Sequence, residues 1–291
     1  MKYLNCYAEH LTTLGYREKT IHHRSADIEQ FSVWTYHQDE QDITSTTIKE
    51  YQQYLATQII QEKTRIIKIR CLKRYFDLVQ NQLLFINPCQ NIEFSHWPKS
   101  IERDILTKGE VALMINSHRE NLLGQRDKTI LDLMYATGIR SCELYAINVI
   151  DINLKENEVL IKDIKNRTER IVPLGRNTKK QVAYYLQNIR PRLAKHPLEQ
   201  ALFLTSQGNR FNRYMLTRLF KRIIKRCAIT KNITPHSLRH SCATHMLQNG
   251  APIEIIQRLL GHQRLESTEI YTRVNQVDLK ETLQKHHPRG K

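Results

Sequence analysis

The chain has 291 residues, with 45 Lys+Arg against 29 Asp+Glu and a formal net charge of +16. That length holds two domains with ample cores, and that charge points to a polyanionic partner. No apolar run nears the ~18 residues of a membrane helix, no signal peptide opens the chain, and the six cysteines lack C-x-x-C spacing, so a membrane span, a disulfide scaffold and a zinc site are excluded and a cytoplasmic protein is expected.

The charge is uneven. Residues 1–105 hold 13 Lys+Arg and 13 Asp+Glu and are neutral, so residues 106–291, with the remaining 32 and 16, carry the whole surplus.

Residues 1–95 read as helices only. Leu4, Tyr7 and Leu11 share one helical face, as do Ile28, Phe31 and Trp34. Thr46 and Thr47 can cap a helix holding Ile48, Tyr51 and Leu55. The fourth helix carries Lys63, Arg65, Lys68, Arg70, Lys73 and Arg74, with no acid until Asp77. Ile66, Ile69, Leu72 and Tyr75 or Phe76 form its apolar stripe. Its basic face is either solvated or laid on a DNA backbone, and the neutrality of the surrounding region favours the second. Asn87-Pro88 breaks the pattern, and residues 96–105, with Trp97-Pro98, read as an interdomain linker.

The second region, 106–291, opens with a helix holding Val111, Met114 and Ile115, which Gly124 is expected to break. A buried helix over Asp127 to Tyr135 stops at Gly138, with Arg140 just beyond. Short alternating segments follow at Asp151 to Leu154, Glu158 to Lys162 and Arg170 to Leu174. The last two form a hairpin with Lys165-Asn166-Arg167 near its tip. Helices are expected over Asn177 to Gln187 and over the basic stretch Asn212 to Cys227.

The chemistry concentrates near the C-terminus. Thr234 and Pro235 suit the N-cap and first position of a helix. His236 and Arg239, three apart, lie on one face of it. Gly250 ends that helix, Pro252 opens the next, and Gly261 stops it, with His262 following. Tyr271 comes nine residues later, in a segment opened by Ser267-Thr268. A guanidinium fork, imidazoles and a phenol suit a phosphodiester: arginine binds two phosphate oxygens at once, and tyrosine can carry a phosphoryl group as an ester. A last helical pattern holds Val274, Val277 and Leu283.

Tyr135 to Leu144 (YATGIRSCEL) is similar to the first signature box of the tyrosine recombinases. His236 to His245 (HSLRHSCATH) and Leu260-Gly261-His262 to Tyr271 resemble the second. Within that family the chain looks most like the Xer-type site-specific recombinases, in length, in its helical N-terminal region and in the ending Gln284 to Arg289. The resemblance covers essentially the whole chain. It implies a mainly α fold with a small β-sheet: an all-helical core-binding domain over 1–95, and a mixed α/β catalytic domain over 106–291 ending in a tail helix.

The resemblance also implies roles. Tyr271 is the nucleophile, forming a 3′-phosphotyrosyl ester. Arg140 and Arg239 hold the nonbridging oxygens of the scissile phosphate. His236 and His262 handle protons and bind phosphate. Lys165 protonates the leaving 5′ oxygen, with Lys162 as the alternative, and Glu143 supports the first arginine. No metal, nucleotide or other cofactor is expected. The implied partners are double-stranded DNA and three further protomers, of the same or a second recombinase. Strands are exchanged through a Holliday junction, with the tail helix docked on the neighbouring protomer. Chromosome or plasmid dimer resolution is the expected occasion. A mobile-element integrase, a type IB topoisomerase-like relaxase and an inactive DNA-binding protein are the alternatives.

Overall fold

Tyr7 and Leu11 are one helical turn apart, and both are buried, as the spacing predicts. They lie on the first of four α-helices that make up the described part of the N-terminal region: α1 (Leu4–Thr13), α2 (Glu18–Trp34), α3 (Ser45–Thr57) and α4 (Glu62–Gln82). The computed structural model describes residues 1–83, 85–92, 104–163, 168–261 and 275–289. The chain divides into two units, Met1–Glu102 and Arg103–Lys291.

In the first unit the apolar stripes of α1, α2, α3 and α4 meet around Phe31, Tyr51, Leu72, Tyr75 and Phe76. Both Tyr75 and Phe76 are fully buried, so the stripe of α4 is wider than a single row. Aromatic edges lock it: the Tyr7 and Tyr75 rings cross at 82° with centroids 5.6 Å apart. The cap of α3 is Thr44 rather than Thr46 or Thr47. Its hydroxyl accepts from the Thr47 backbone N–H, and the Thr47 side chain returns the bond.

The second unit packs helices around a three-stranded antiparallel sheet, β1 (Ile152–Asn153), β2 (Glu158–Asp163) and β3 (Thr168–Pro173), in that order. Helix α5 (Lys108–Asn116) starts at a reciprocal Thr107/Glu110 cap. Residues 104 and 105, expected in the linker, are fastened to this unit: Asn232 N–H donates to Asp104, and Lys231 to the Ile105 carbonyl. Gly124 does not break a helix. It lies inside α6 (Leu122–Thr137), where the Asn121 side chain accepts its N–H at 2.8 Å. A Cβ there would sit 1.9 Å from the Arg119 carbonyl oxygen, so close backbone approach, not helix breaking, explains this glycine.

Beyond the short α7 (Ser141–Leu144) and the sheet, α8 (Arg176–Tyr184) continues through a π-helical turn (Tyr185–Ile189) into α9 (Arg190–Leu193). The helical path therefore runs past the expected end at Gln187. Helices α10 (Arg213–Arg226), α11 (Pro235–Gln248) and α12 (Ile253–Leu260) complete the core, and α13 (Asn275–His286) closes it. Thr234 caps α11, with Pro235 in its first turn, as the sequence indicates.

The tail helix stays on its own unit. Leu279 and Leu283 are buried in the core formed by α5 to α12. Beyond it, His287 is buried against the Tyr135 carbonyl (3.2 Å) and Cys242 Sγ (3.5 Å), and Arg289 Nε donates to Asp132 at 2.6 Å. Within one protomer, then, the tail packs on its own unit. Val274 and the side chain of Val277 lie outside the described residues.

Candidate active site

Two helices of the second unit end in left-handed glycines. Gly138 (φ 58°) caps α6, and Gly261 (φ 65°) caps α12. Such a residue turns the chain off the helix axis and leaves terminal carbonyls without helical partners. Here the partners are guanidinium groups. Arg239, on α11, donates to the Gly138 carbonyl and to the Leu260 carbonyl, each at 2.6 Å. Arg140 donates to the Gly261 carbonyl at 2.8 Å. The negative ends of both helix dipoles therefore face cations.

Arg140 precedes α7 and is tied to it by Glu143. The Arg140 backbone N–H donates to Glu143 Oε2, and Nη1 to Oε1, both at 2.8 Å. Nη1 also reaches Asp163, the last residue of β2, at 3.0 Å. The Arg140 side chain keeps 25% of its surface open, whereas Glu143 has none. Thus Arg140 is held on its inner side and accessible on its outer one.

A third guanidinium completes the group. Arg170 on β3 grips Glu143 with both Nη atoms, at 3.0 and 2.8 Å, and donates through Nε to the Leu259 carbonyl at 3.0 Å. Burial alone would raise the Glu143 pKa, but the hydrogen bonds and charge of Arg170, then the backbone and side-chain hydrogen bonds of Arg140, hold it below the usual carboxylate range. Arg239 is pushed down to about 10, first by burial and then by the charges of Arg140 and Arg170. Three cations around two carboxylates leave a positive surplus at a partly open surface, which suits a phosphate.

The sequence reading did not single out Arg170 or Asp163. The signal was the phase of β3: Arg170 is paired with the buried Ile161, and its neighbour Ile171 faces out, 39% exposed. An arginine on the inner face beside an outward isoleucine breaks the apolar-in pattern.

Of the expected site residues, the structure brings Arg140, Glu143 and Arg239 together. His236 is exposed in the first turn of α11, on the helix that carries Arg239. Lys165, His262 and Tyr271 lie outside the described residues. The alternative lysine, Lys162, is on β2 next to Asp163 and so points to the opposite face of the sheet. There its ammonium pairs with Asp151 at 2.8 Å. In the first unit, Lys63 and Arg74 are exposed on α4, and Arg65, Lys68, Arg70 and Lys73 are half-buried. Lys68 is paired with Asp27 and Gln30, and Arg74 donates to the Tyr16 hydroxyl at 3.1 Å.

This arrangement of two arginines and an acid around glycine-capped helix ends accompanies a match to the phage integrase family over residues 104–277. The chain belongs to that family and is a site-specific tyrosine recombinase, an enzyme that cuts and rejoins DNA. Among its relatives is the tyrosine recombinase XerD of Oceanobacillus iheyensis, 37% identical over 214 residues, covering 73% of this chain and 71% of that protein. The tyrosine recombinase XerC of Natranaerobius thermophilus is 31% identical over 267 residues, covering 90% and 87%. The fold is also that of a lambda integrase dimer bound to a core site, with a TM-score of 0.73 at 16% identity, covering 92% of this chain and 98% of that one.

Proposed function

We propose that the arginine cluster binds the scissile phosphate of a DNA duplex and that Tyr271 attacks it. The observation that carries this reading is the joining of Arg140 and Arg239 through the ends of α6 and α12. Free tyrosine titrates at about pH 10, so attack at neutral pH needs the phosphate charge offset and a proton acceptor nearby. Arg140 and Arg239 supply the first, and His236 or His262 the second. The phenolic oxygen bonds to phosphorus, the bond to the 5′ oxygen breaks, and Lys165 protonates that oxygen as it leaves. The ester keeps the phosphodiester's energy, so the reverse attack by a 5′ hydroxyl rejoins a strand without nucleotide, and the cationic side chains take the place of a metal.

The same reading assigns the helical first unit to DNA binding through α4, and Arg103–Lys291 to catalysis. Four protomers, of one or two recombinases, would exchange strands through a Holliday junction. The occasion is an Xer-like one, resolution of chromosome or plasmid dimers in the cytoplasm, supported by the two Xer relatives. The test uses a nicked suicide duplex carrying the recombination site, in excess chelator. Wild type should form a covalent 3′-phosphotyrosyl adduct, and Tyr271→Phe should bind but form none. An adduct on Tyr271→Phe, or cleavage lost in chelator and restored by magnesium, would sink the proposal.

A further inference from the structure

We infer that Arg170 is a positioning residue for the strand-cleavage reaction: it occupies the Glu143 carboxylate so that the charge of Arg140 remains available to the scissile phosphate. The inference rests on the proposed role of Arg140. It begins from Glu143, whose side chain is fully buried. A carboxylate offers about four acceptor positions, and all four are used. Oε1 accepts from Arg140 Nη1 (2.8 Å) and Arg170 Nη1 (3.0 Å). Oε2 accepts from the Arg140 backbone N–H (2.8 Å) and Arg170 Nη2 (2.8 Å). A buried acid this close to Arg140 alone would be a competitor for it: a fixed anion offsetting the cation meant for the substrate. The bidentate grip of Arg170, itself only 13% exposed, satisfies that acid and neutralises it.

Arg170 is placed to do this and little else. Its Nε is committed to the Leu259 carbonyl, and its own side chain is 13% exposed, half as open as that of Arg140. The backbone of Gly261 lies against its guanidinium: a Cβ added there would be 3.2 Å from Nη1. One side chain thereby joins β3, α7 and the end of α12. The residue also sits five positions after Lys165 and holds the segment that leads into His262.

The test compares Arg170→Met, Glu143→Gln and the double variant in single-turnover cleavage of the suicide duplex. Arg170→Met should cleave roughly 10²-fold more slowly, with half-site binding changed by less than about threefold, because the freed carboxylate draws Arg140 inward. Adding Glu143→Gln should recover about tenfold of that loss, since the competing charge is gone. A purely structural Arg170 would show no such rescue. Arg170→Lys, which keeps the charge but only one donor point, should fall between wild type and Arg170→Met. A second readout needs no DNA: the Glu143 carboxyl, followed by NMR, should titrate higher in Arg170→Lys than in wild type. An unrescued double variant, or an unchanged Glu143 titration, would overturn the inference. Wild type that forms no adduct would instead defeat the active-site reading, and the titration would still decide the role of Arg170.

Discussion

Arg239 donates to the carbonyl of Gly138, 101 residues earlier in the chain, at 2.6 Å. With its second Nη on the Leu260 carbonyl, it clips the end of α6 to the end of α12 and fixes both against α11. The glycines make this possible. A Cβ on Gly138 would come within 2.5 Å of the terminal methyl Leu260 Cδ2, so the two helix ends meet at a contact where a side chain would force Leu260 to shift.

Lysine cannot replace this clip. Arg239→Lys keeps the charge but loses the planar fork that spans two carbonyls. Cleavage of the suicide duplex should fall about 10²-fold or more, measured as single-turnover adduct formation at saturating protein. A loss of less than about threefold would show that the fork geometry is unimportant.

Gly138→Ala combines a left-handed φ with a clash against Leu260. The backbone strain and the overpacking together should cost on the order of 3 kcal/mol. Thermal unfolding should shift down by roughly 10 °C. Gly109→Ala, with an ordinary φ and only the Thr107 hydroxyl near, at 3.9 Å, is the control and should change little.

For the first unit, neutralising Lys68, Lys73 and Arg74 together should weaken DNA binding and flatten its dependence on salt. For every DNA phosphate that no longer meets a cation, the slope of log K against log salt should shrink by about 0.9. Lys68 also holds Asp27, so thermal unfolding must be followed in parallel. An unchanged slope would return α4 to a plain solvated face.

The tail should loosen in acid. His287 is pushed down to about 4, chiefly by burial, with the charges of Arg289 and His245 adding to it. Its Nδ1 accepts from the Arg289 N–H at 2.9 Å, and Nε2 faces the Tyr135 carbonyl, so the docked ring is neutral. Undocked, it titrates at about 6.5. Because the docked pKa is the lower one, docking is at full strength above about pH 6.5 and is lost progressively as pH falls toward 4. At pH 5 the loss should be about 2 kcal/mol. Protection factors over residues 283–289, that is amide exchange corrected for its intrinsic slowing in acid, should fall between pH 7.5 and 5, and His287→Gln should remove that fall.

The helical stripes were legible because burial in one face of a helix writes a 3.6-residue period: Tyr7, Leu11, Ile28, Phe31, Ile48 and Leu55 are all buried as read. Arg239 was legible beside His236 from helical spacing, but its meeting with Arg140 and Glu143 was legible through the resemblance alone, since that meeting depends on helix ends far apart in the chain. Gly124 was misread because a glycine demanded by a neighbouring carbonyl looks, in sequence, like a glycine that ends a helix. Arg170 was missed because it serves another side chain, and only its strand phase betrays it. The docking of His287 and Arg289 onto α6 has no local signal at all.

The arginine cluster also has a consequence for sequence drift. Its helix-end anchors are main-chain carbonyls, of Gly138, Leu259, Leu260 and Gly261. A main-chain acceptor survives replacement of the side chain that follows or precedes it. Position 259 can therefore change its apolar identity with the polar framework intact, provided the core volume is kept. The irreplaceable positions are the two glycines, the acid and the three arginines, so the site should tolerate a varied α12 yet fail at a handful of points.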